Sequence, residues 1–211
     1  MTDPRKQIVR AGYDRLAASF LAWGARVEGD PRDRYVEEFA ALLPVPGTVL
    51  DLGCGAGVPS TRRLAETFDV VGADISEVQI ELARRNVPGA RFVRADMTDL
   101  ELAPASFDGV CALYSIAHIP REQHADVFAR VRRWLRPGGV LLASLGVGDL
   151  PGWTGDWLGE PMFFSSHAAD ANLRLLAAAG LDVVHAEAVT MRELEGEATF
   201  QWVICRAPRG A

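Results

Sequence analysis

The sequence predicts an α/β fold in which a largely parallel sheet is covered by helices on both faces. Three observations predict it. At 211 residues the chain is close to the length of one large domain. From residue 48 onward, short apolar runs alternate with segments whose apolar residues recur at helical spacing. Gly- and Pro-containing turns separate the two kinds of segment. Strands alternating with helices are the pattern of a parallel sheet.

Each element has its own signal. Residues 5–24 place Ile8, Val9, Tyr13, Leu16, Ala17, Phe20 and Leu21 at helical spacing, and residues 32–43 form a second helical candidate closed by Pro44-Val45-Pro46-Gly47. Strands are expected at 48–52, 69–73, 90–94, 107–114 and 140–145, with helices at 60–67, 76–86, 121–135 and 168–179. The helix at 121–135 carries its apolar face on Val127, Phe128, Val131, Trp134 and Leu135, and Pro137-Gly138-Gly139 stops it. Strands at 183–190 and 199–206 are joined by a short link, which points to an antiparallel hairpin at one edge. The chain therefore divides into an N-terminal helical segment, 1–46, and an α/β domain, 47–211, with an insertion at about 147–167.

Composition excludes several classes. Hydrophobic residues make up 49% and charged residues 24%, as in ordinary globular proteins. No apolar run is long enough to span a membrane, and the N-terminus leads into no apolar signal segment. A net charge of −6 disfavours a broad nucleic-acid surface. Arg130, Arg132, Arg133 and Arg136 read as the solvated side of an amphipathic helix. Cys54, Cys111 and Cys205 lie far apart without a C-x-x-C pair, so neither a zinc site nor a disulfide framework is expected, and a reducing cytoplasm is the default. Lys6 is the only lysine. The arginine bias reads as that of a GC-rich, bacterial genome.

The densest chemical signal is Val49-Leu50-Asp51-Leu52-Gly53-Cys54-Gly55-Ala56-Gly57, a buried strand running into three alternate glycines. Such a loop lets a ligand approach the backbone closely, outside the carboxyl ends of the strands. A dinucleotide site prefers G-x-G-x-x-G. Here the spacing is G-x-G-x-G, and Asp51 beside it suits a cation better than a diphosphate. Asp74 ends the second strand 21 residues after Gly53, where an acid accepts hydrogen bonds from ribose hydroxyls. A helix N-cap role for Asp74 or Ser76 is the competing reading. In Arg94-Ala95-Asp96-Met97, after the third strand, a carboxylate suits an adenine amino group and Met97 suits the ring, against a plain strand-end turn.

These segments, together with residues 107–114 and Leu135–Leu142, stand in the order of the class I S-adenosylmethionine-dependent methyltransferases. The chain resembles that superfamily, in its small-molecule branch, over about residues 35–146. The resemblance implies a Rossmann-like doubly wound sheet of seven strands, the last antiparallel. It implies S-adenosyl-L-methionine as cofactor, released as S-adenosyl-L-homocysteine. Asp51, Gly53, Cys54 and Gly55 would surround the methionyl portion, and Asp74 would hold the ribose with Ile75 against the adenine. Gln79 would lie near the ribose, and Asp96 and Met97 would read the adenine. Leu113 and Tyr114, with Ser115, stand where the family contacts the methionyl part. Tyr13 would cover the cofactor from the N-terminal helix, with core packing as the alternative.

The fourth strand is followed by Leu113-Tyr114-Ser115-Ile116-Ala117-His118, not by the Asn-Pro-Pro-Tyr type of the nucleic-acid branches. The expected acceptor is thus a small organic molecule methylated at O, N or C, with no nucleic acid, membrane or catalytic metal, on a monomer or homodimer. His118 ranks first and His167 second as general bases, while His124 and His185 read as a helix surface and a strand position. Trp153, Trp157, Phe163 and Phe164 fall in a glycine-interrupted stretch that fits neither period and reads as an irregular lid lining the acceptor pocket, with a satellite hydrophobic cluster holding the loop down as the alternative. Two rivals remain: a nicotinamide-dependent oxidoreductase and a non-catalytic S-adenosylmethionine-binding protein.

Overall fold

Asp3 opens the first helix, α1 (Pro4–Gly24), by accepting the Arg5 N–H, and Pro4 fills the first turn, where its missing N–H costs nothing. The computed structural model describes residues 3–209, apart from the side chain of Ala18. A second helix, α2 (Arg32–Ala41), precedes the sheet. There follow β1 (Thr48–Leu52), α3 (Ser60–Ala65), β2 (Asp69–Asp74), α4 (Glu77–Asn86), β3 (Arg91–Arg94) and β4 (Phe107–Ala112). The second half holds α5 (His124–Trp134), β5 (Leu135–Gly146), β6 (Leu150–Trp157), β7 (Glu160–Ser166), α6 (Ala169–Ala178), β8 (Asp182–Arg192) and β9 (Glu197–Arg206).

Seven strands form one sheet in the order β3-β2-β1-β4-β5-β9-β8. The pairs from β3 through β5 are parallel, whereas β9 runs antiparallel between β5 and β8. The expected fold is therefore the observed one. The strand order reverses between β1 and β4, which opens a crevice at the carboxyl end of β1.

Period-two burial explains why the sheet is covered twice. Leu50, Leu52, Val110, Ala112, Leu141 and Ala143 enter one core, where α5 contributes Val127, Phe128, Val131 and Trp134. Their neighbours Val49, Cys111, Val140 and Leu142 enter the opposite core, closed by Tyr35 and Phe39 of α2 and by Trp202. A third cluster joins α1 to β7 through Val9, Leu16, Met162 and Phe163.

The insertion departs from expectation. It is not an irregular loop but an antiparallel hairpin, β6 paired with β7 from Leu150↔Ser166 to Trp157↔Glu160. Leu158 (φ 56°) and Gly159 (φ 84°) make its turn. Two positive φ values suit the right-handed twist of a hairpin, yet leucine is not a residue that signals such a turn. The hairpin lies flat under α1, because Gly12 has no Cβ: one placed there would stand 2.7 Å from Met162 Cε and 3.0 Å from the Pro161 carbonyl. Among the described residues no helix is long and apolar enough to cross a membrane, and no cluster of three or more His, Cys, Asp or Glu is suited to hold a metal.

Candidate active site

A cavity lies over the carboxyl ends of β1 to β4, roofed by α1. Its lining includes every residue expected at the cofactor: Tyr13, Asp51, Gly53, Cys54, Gly55, Asp74, Ile75, Gln79, Asp96, Met97, Leu113 and Tyr114. His118 and Ser115 line it too.

The glycine loop is locked to the strand beside it. The N–H groups of Gly53 and Cys54 donate to the Ala73 carbonyl at 2.7 and 3.1 Å. Gly53 (φ 74°) is also in van der Waals contact range of Ser115, whose Oγ donates to the Leu52 carbonyl at 2.8 Å. Gly55 N–H donates to Asp74 Oδ2 and Ser76 N–H to Asp74 Oδ1, both at 2.9 Å. Ser76 is the N-cap of α4, its Oγ accepting the Gln79 N–H at 3.1 Å. That leaves the Asp74 carboxylate free of capping duty and turned to the cavity. Burial pushes its pKa up, against the two backbone N–H groups that pull it down.

Gln79 is 1% exposed and neither atom of its amide has a hydrogen-bond partner. A buried amide left unpaired costs about 1–3 kcal/mol, so a ligand is the natural partner for it. Space for that ligand exists above Gly55, where an added Cβ would meet only Gln79 Oε1, at 3.9 Å.

Asp51 is buried and accepts the Thr61 hydroxyl at 2.6 Å. Burial pushes its pKa up to about 6, with the Thr61 hydrogen bond opposing. Burial likewise raises the Cys54 thiol, which stays protonated. Tyr114 holds a left-handed backbone (φ 56°), an uncommon state for an aromatic residue. Its N–H donates to Ser144 Oγ at 2.7 Å and its hydroxyl to Asp30 Oδ1 at 2.6 Å.

Two lining residues were invisible to motif reading. Arg32 enters from α2, its guanidinium 4.8 Å from the Tyr114 ring centroid and 3.1 Å from Asp30 Oδ2, with Nε buried and unpartnered. Lys6 enters from α1, buried, with Nζ 3.0 Å from Asp96 Oδ2 and hydrogen-bonded to Thr98 Oγ1. Asp96 Oδ1 accepts the Thr98 N–H and hydroxyl at 2.9 and 2.8 Å. Asp96 is thus held at the cavity wall through Oδ1, while its buried Oδ2 faces Lys6 and has no hydrogen-bond partner. The one signal for Lys6 was its being the lone lysine of an arginine-rich chain.

The predicted base His118 ends a short 3-10 turn, Ile116–His118, and is buried. Its pKa is lowered to about 4 by burial. His167 is not at the cavity: its Nε2 donates to the Arg121 carbonyl at 3.0 Å and its ring sits 5.4 Å from that of His124. Nor is His124 a surface residue, since it is buried with Nε2 bonded to the Ile119 carbonyl at 3.1 Å. The helix starts there, and His124 stands on its buried face with Val127 and Phe128.

The four aromatics do not line the cavity. Trp157 packs against Tyr13, Phe20 and Trp23 at 5.4–6.2 Å between ring centroids. Phe164 packs against His118 at 4.6 Å, and Phe163 is buried in the α1 contact. Trp153 is 44% exposed. Trp157, Phe163 and Phe164 support the roof through the cluster they share with α1. Trp157→Ala should lower the melting point, at a cost of about 1–3 kcal/mol of apolar contact. It should also weaken S-adenosylhomocysteine binding through Tyr13. Trp153→Ala should change neither, and equal effects of both on calorimetry and melting would contradict this supporting role.

Comparison with known proteins agrees with this geometry. A family model described as a methyltransferase domain matches residues 49–139. Trans-aconitate 2-methyltransferase of Acidovorax sp. (strain JS42) is 39% identical over 107 residues, covering 48% of this chain and 39% of that protein. 27-O-demethylrifamycin SV methyltransferase of Amycolatopsis mediterranei (strain S699) is 34% identical over 162 residues, 67% of this chain and 59% of that protein. The chain thus spans about two-fifths to three-fifths of the length of these curated relatives. An S-adenosylmethionine-dependent methyltransferase structure from Methanosarcina mazei superposes with a TM-score of 0.70 at 20% identity, covering 81% of this chain and 96% of that one. Residues 49–139 thus match a methyltransferase domain, and the strand order around them is a fold shared with an S-adenosylmethionine-dependent methyltransferase structure.

Proposed function

We propose that this chain transfers a methyl group from S-adenosylmethionine to a small organic acceptor. The observation that supports it most is the convergence of twelve residues, drawn from five segments of sequence, on one cavity that holds an orphaned amide. The residues fit the cofactor. Asp74 accepts from the ribose hydroxyls, and Gln79 gains the partner it lacks. Ile75 and Met97 would pack against the adenine, and Asp96, held by Lys6 and Thr98, would accept from its amino group. Asp51 and Arg32, of opposite charge, match the ammonium and carboxylate of an amino-acid tail.

When bound, the cofactor supplies an electrophilic methyl on a sulfonium, so the protein need only align the acceptor and exclude water. Tyr13, Phe20, Leu21, Tyr114 and His118 also line the cavity, and the acceptor would be received among them. The names of the relatives support a small acceptor. Three buried, unpaired cysteines suit a reducing cytoplasm. The test is acceptor-dependent release of S-adenosylhomocysteine over a panel of small hydroxy, amino and carboxylic acids beside bulk tRNA. Release with a small acceptor is expected. Transfer to tRNA alone would overturn the reading.

The Asp51 assignment carries a pH dependence. The tail's ammonium favours ionised Asp51, whose pKa in the free protein is about 6. Affinity should therefore be full above pH 6 and fall as pH drops through it, by up to about tenfold per unit. Calorimetry at pH 5.5 should show proton release on binding S-adenosylhomocysteine; proton uptake would contradict the pairing.

A further inference from the structure

The hydrogen bonds between α1, the 3-10 turn and the hairpin fix the direction of every proton around His118. His118 Nδ1 lies 2.9 Å from the Phe163 carbonyl of β7. A carbonyl only accepts, so Nδ1 carries the hydrogen. In the neutral ring Nε2 is then a bare lone pair, and the Tyr13 hydroxyl 2.7 Å away must donate to it. The two rings meet edge to face at 5.1 Å, so the contact is rigidly held. Tyr13 has spent its only hydrogen, and its oxygen can only accept from whatever enters the cavity it lines.

The geometry points to Tyr13 as the group that meets the acceptor's proton, with His118 as a positioning residue and proton store behind it. The acceptor is then a nucleophile that brings a proton, a hydroxyl or an amine, and not a carboxylate. This rests on the methyl-transfer reading above. As the acceptor atom bonds to the methyl carbon and the carbon–sulfur bond breaks, the acceptor's proton passes to Tyr13 Oη and Tyr13's own proton passes to His118 Nε2. The imidazolium so formed still donates from Nδ1 to Phe163.

The charge balance favours this timing. His118 is buried and Tyr13 partly buried, and desolvation raises the Tyr13 pKa and lowers that of His118, so neither ionises at rest. The charges that bear on Tyr13 are Asp74 and Glu193, and none is resolved at His118, which otherwise faces Trp157 and Phe164. During transfer the positive charge lost at sulfur reappears on the imidazole, and the cavity's net charge is conserved. The hairpin thus acts on the site through a backbone carbonyl, which its side-chain pattern does not reveal.

Nitrogen-15 NMR of histidine-labelled protein tests the arrangement without turnover. The His118 ring should be neutral and protonated on Nδ1, should not titrate between roughly pH 7.5 and 5.5, where a free histidine does, and should shift in Tyr13→Phe. A ring protonated on Nε2, or an ordinary titration in that range, would overturn the proposal. His118→Asn keeps a donor for Phe163 and removes the lone pair facing Tyr13. With a hydroxyl acceptor from the panel, this variant and Tyr13→Phe should each lose about 10²-fold in turnover, and the double variant no more. Additive losses, or equal losses with a carboxylate acceptor, would overturn it. A wild-type protein that transfers to no acceptor would overturn the activity reading, while the NMR result still decides the dyad.

Discussion

Gly53→Ala should lose at least about a hundredfold in affinity for S-adenosylhomocysteine. The φ of 74° alone disfavours a side chain, by roughly 1–2 kcal/mol. The larger fault is steric: a Cβ at Gly53 would stand 2.3 Å from Ser115 Cβ. Ser115 cannot retreat, because its hydroxyl is tied to the Leu52 carbonyl and its carbonyl accepts the His118 N–H at 3.1 Å. The loop must move instead, and it carries Gly55 N–H away from Asp74. Sequence alone places the clash with the ligand; the structure places it with the protein's own next strand end. Gly89→Ala, in open space, is the control and should bind and melt as wild type. Calorimetry beside a melting curve measures both, and normal binding by Gly53→Ala would contradict the interlock.

Asp74→Ala should weaken S-adenosylhomocysteine binding about tenfold to a hundredfold. Charge-assisted hydrogen bonds to ribose hydroxyls are worth about 1.5–3 kcal/mol. The variant should also melt lower, since the Gly55 and Ser76 N–H groups lose their acceptor. Ser76→Ala separates the two roles first read into this turn. It removes the true N-cap, at about 1 kcal/mol of stability, and should leave affinity nearly unchanged. If Ser76→Ala costs as much affinity as Asp74→Ala, the loss belongs to the helix end and not to the ribose.

What was legible in the sequence follows from locality. Asp51, Gly53, Asp74, Asp96 and Leu113 each end a strand or enter a turn, and parallel strands bring their carboxyl ends together, so order along the chain sufficed. Lys6 and Arg32 reach the same cavity from helices before the sheet, and no short spacing links them to it. The hairpin escaped notice because its turn uses Leu158-Gly159, and its exposed Trp153 and its glycines obscure strand alternation. His167 and the four aromatics were placed by nearness in sequence to the crevice, but β6 and β7 pair with each other and pack Trp157, Phe163 and Phe164 in the cluster with α1, while Trp153 is exposed and His167 bonds to the Arg121 carbonyl. The Tyr13–His118 contact spans 105 positions of chain, and its direction is set by a backbone oxygen that no residue type announces.

The most direct test of the cofactor assignment is a calorimetric titration of the wild-type protein with S-adenosylhomocysteine, run beside NAD. The cavity's acid at the ribose, its opposed Asp51 and Arg32 and its glycine spacing predict one S-adenosylhomocysteine bound per chain and no heat from NAD. Saturable binding of NAD with none of S-adenosylhomocysteine would contradict it.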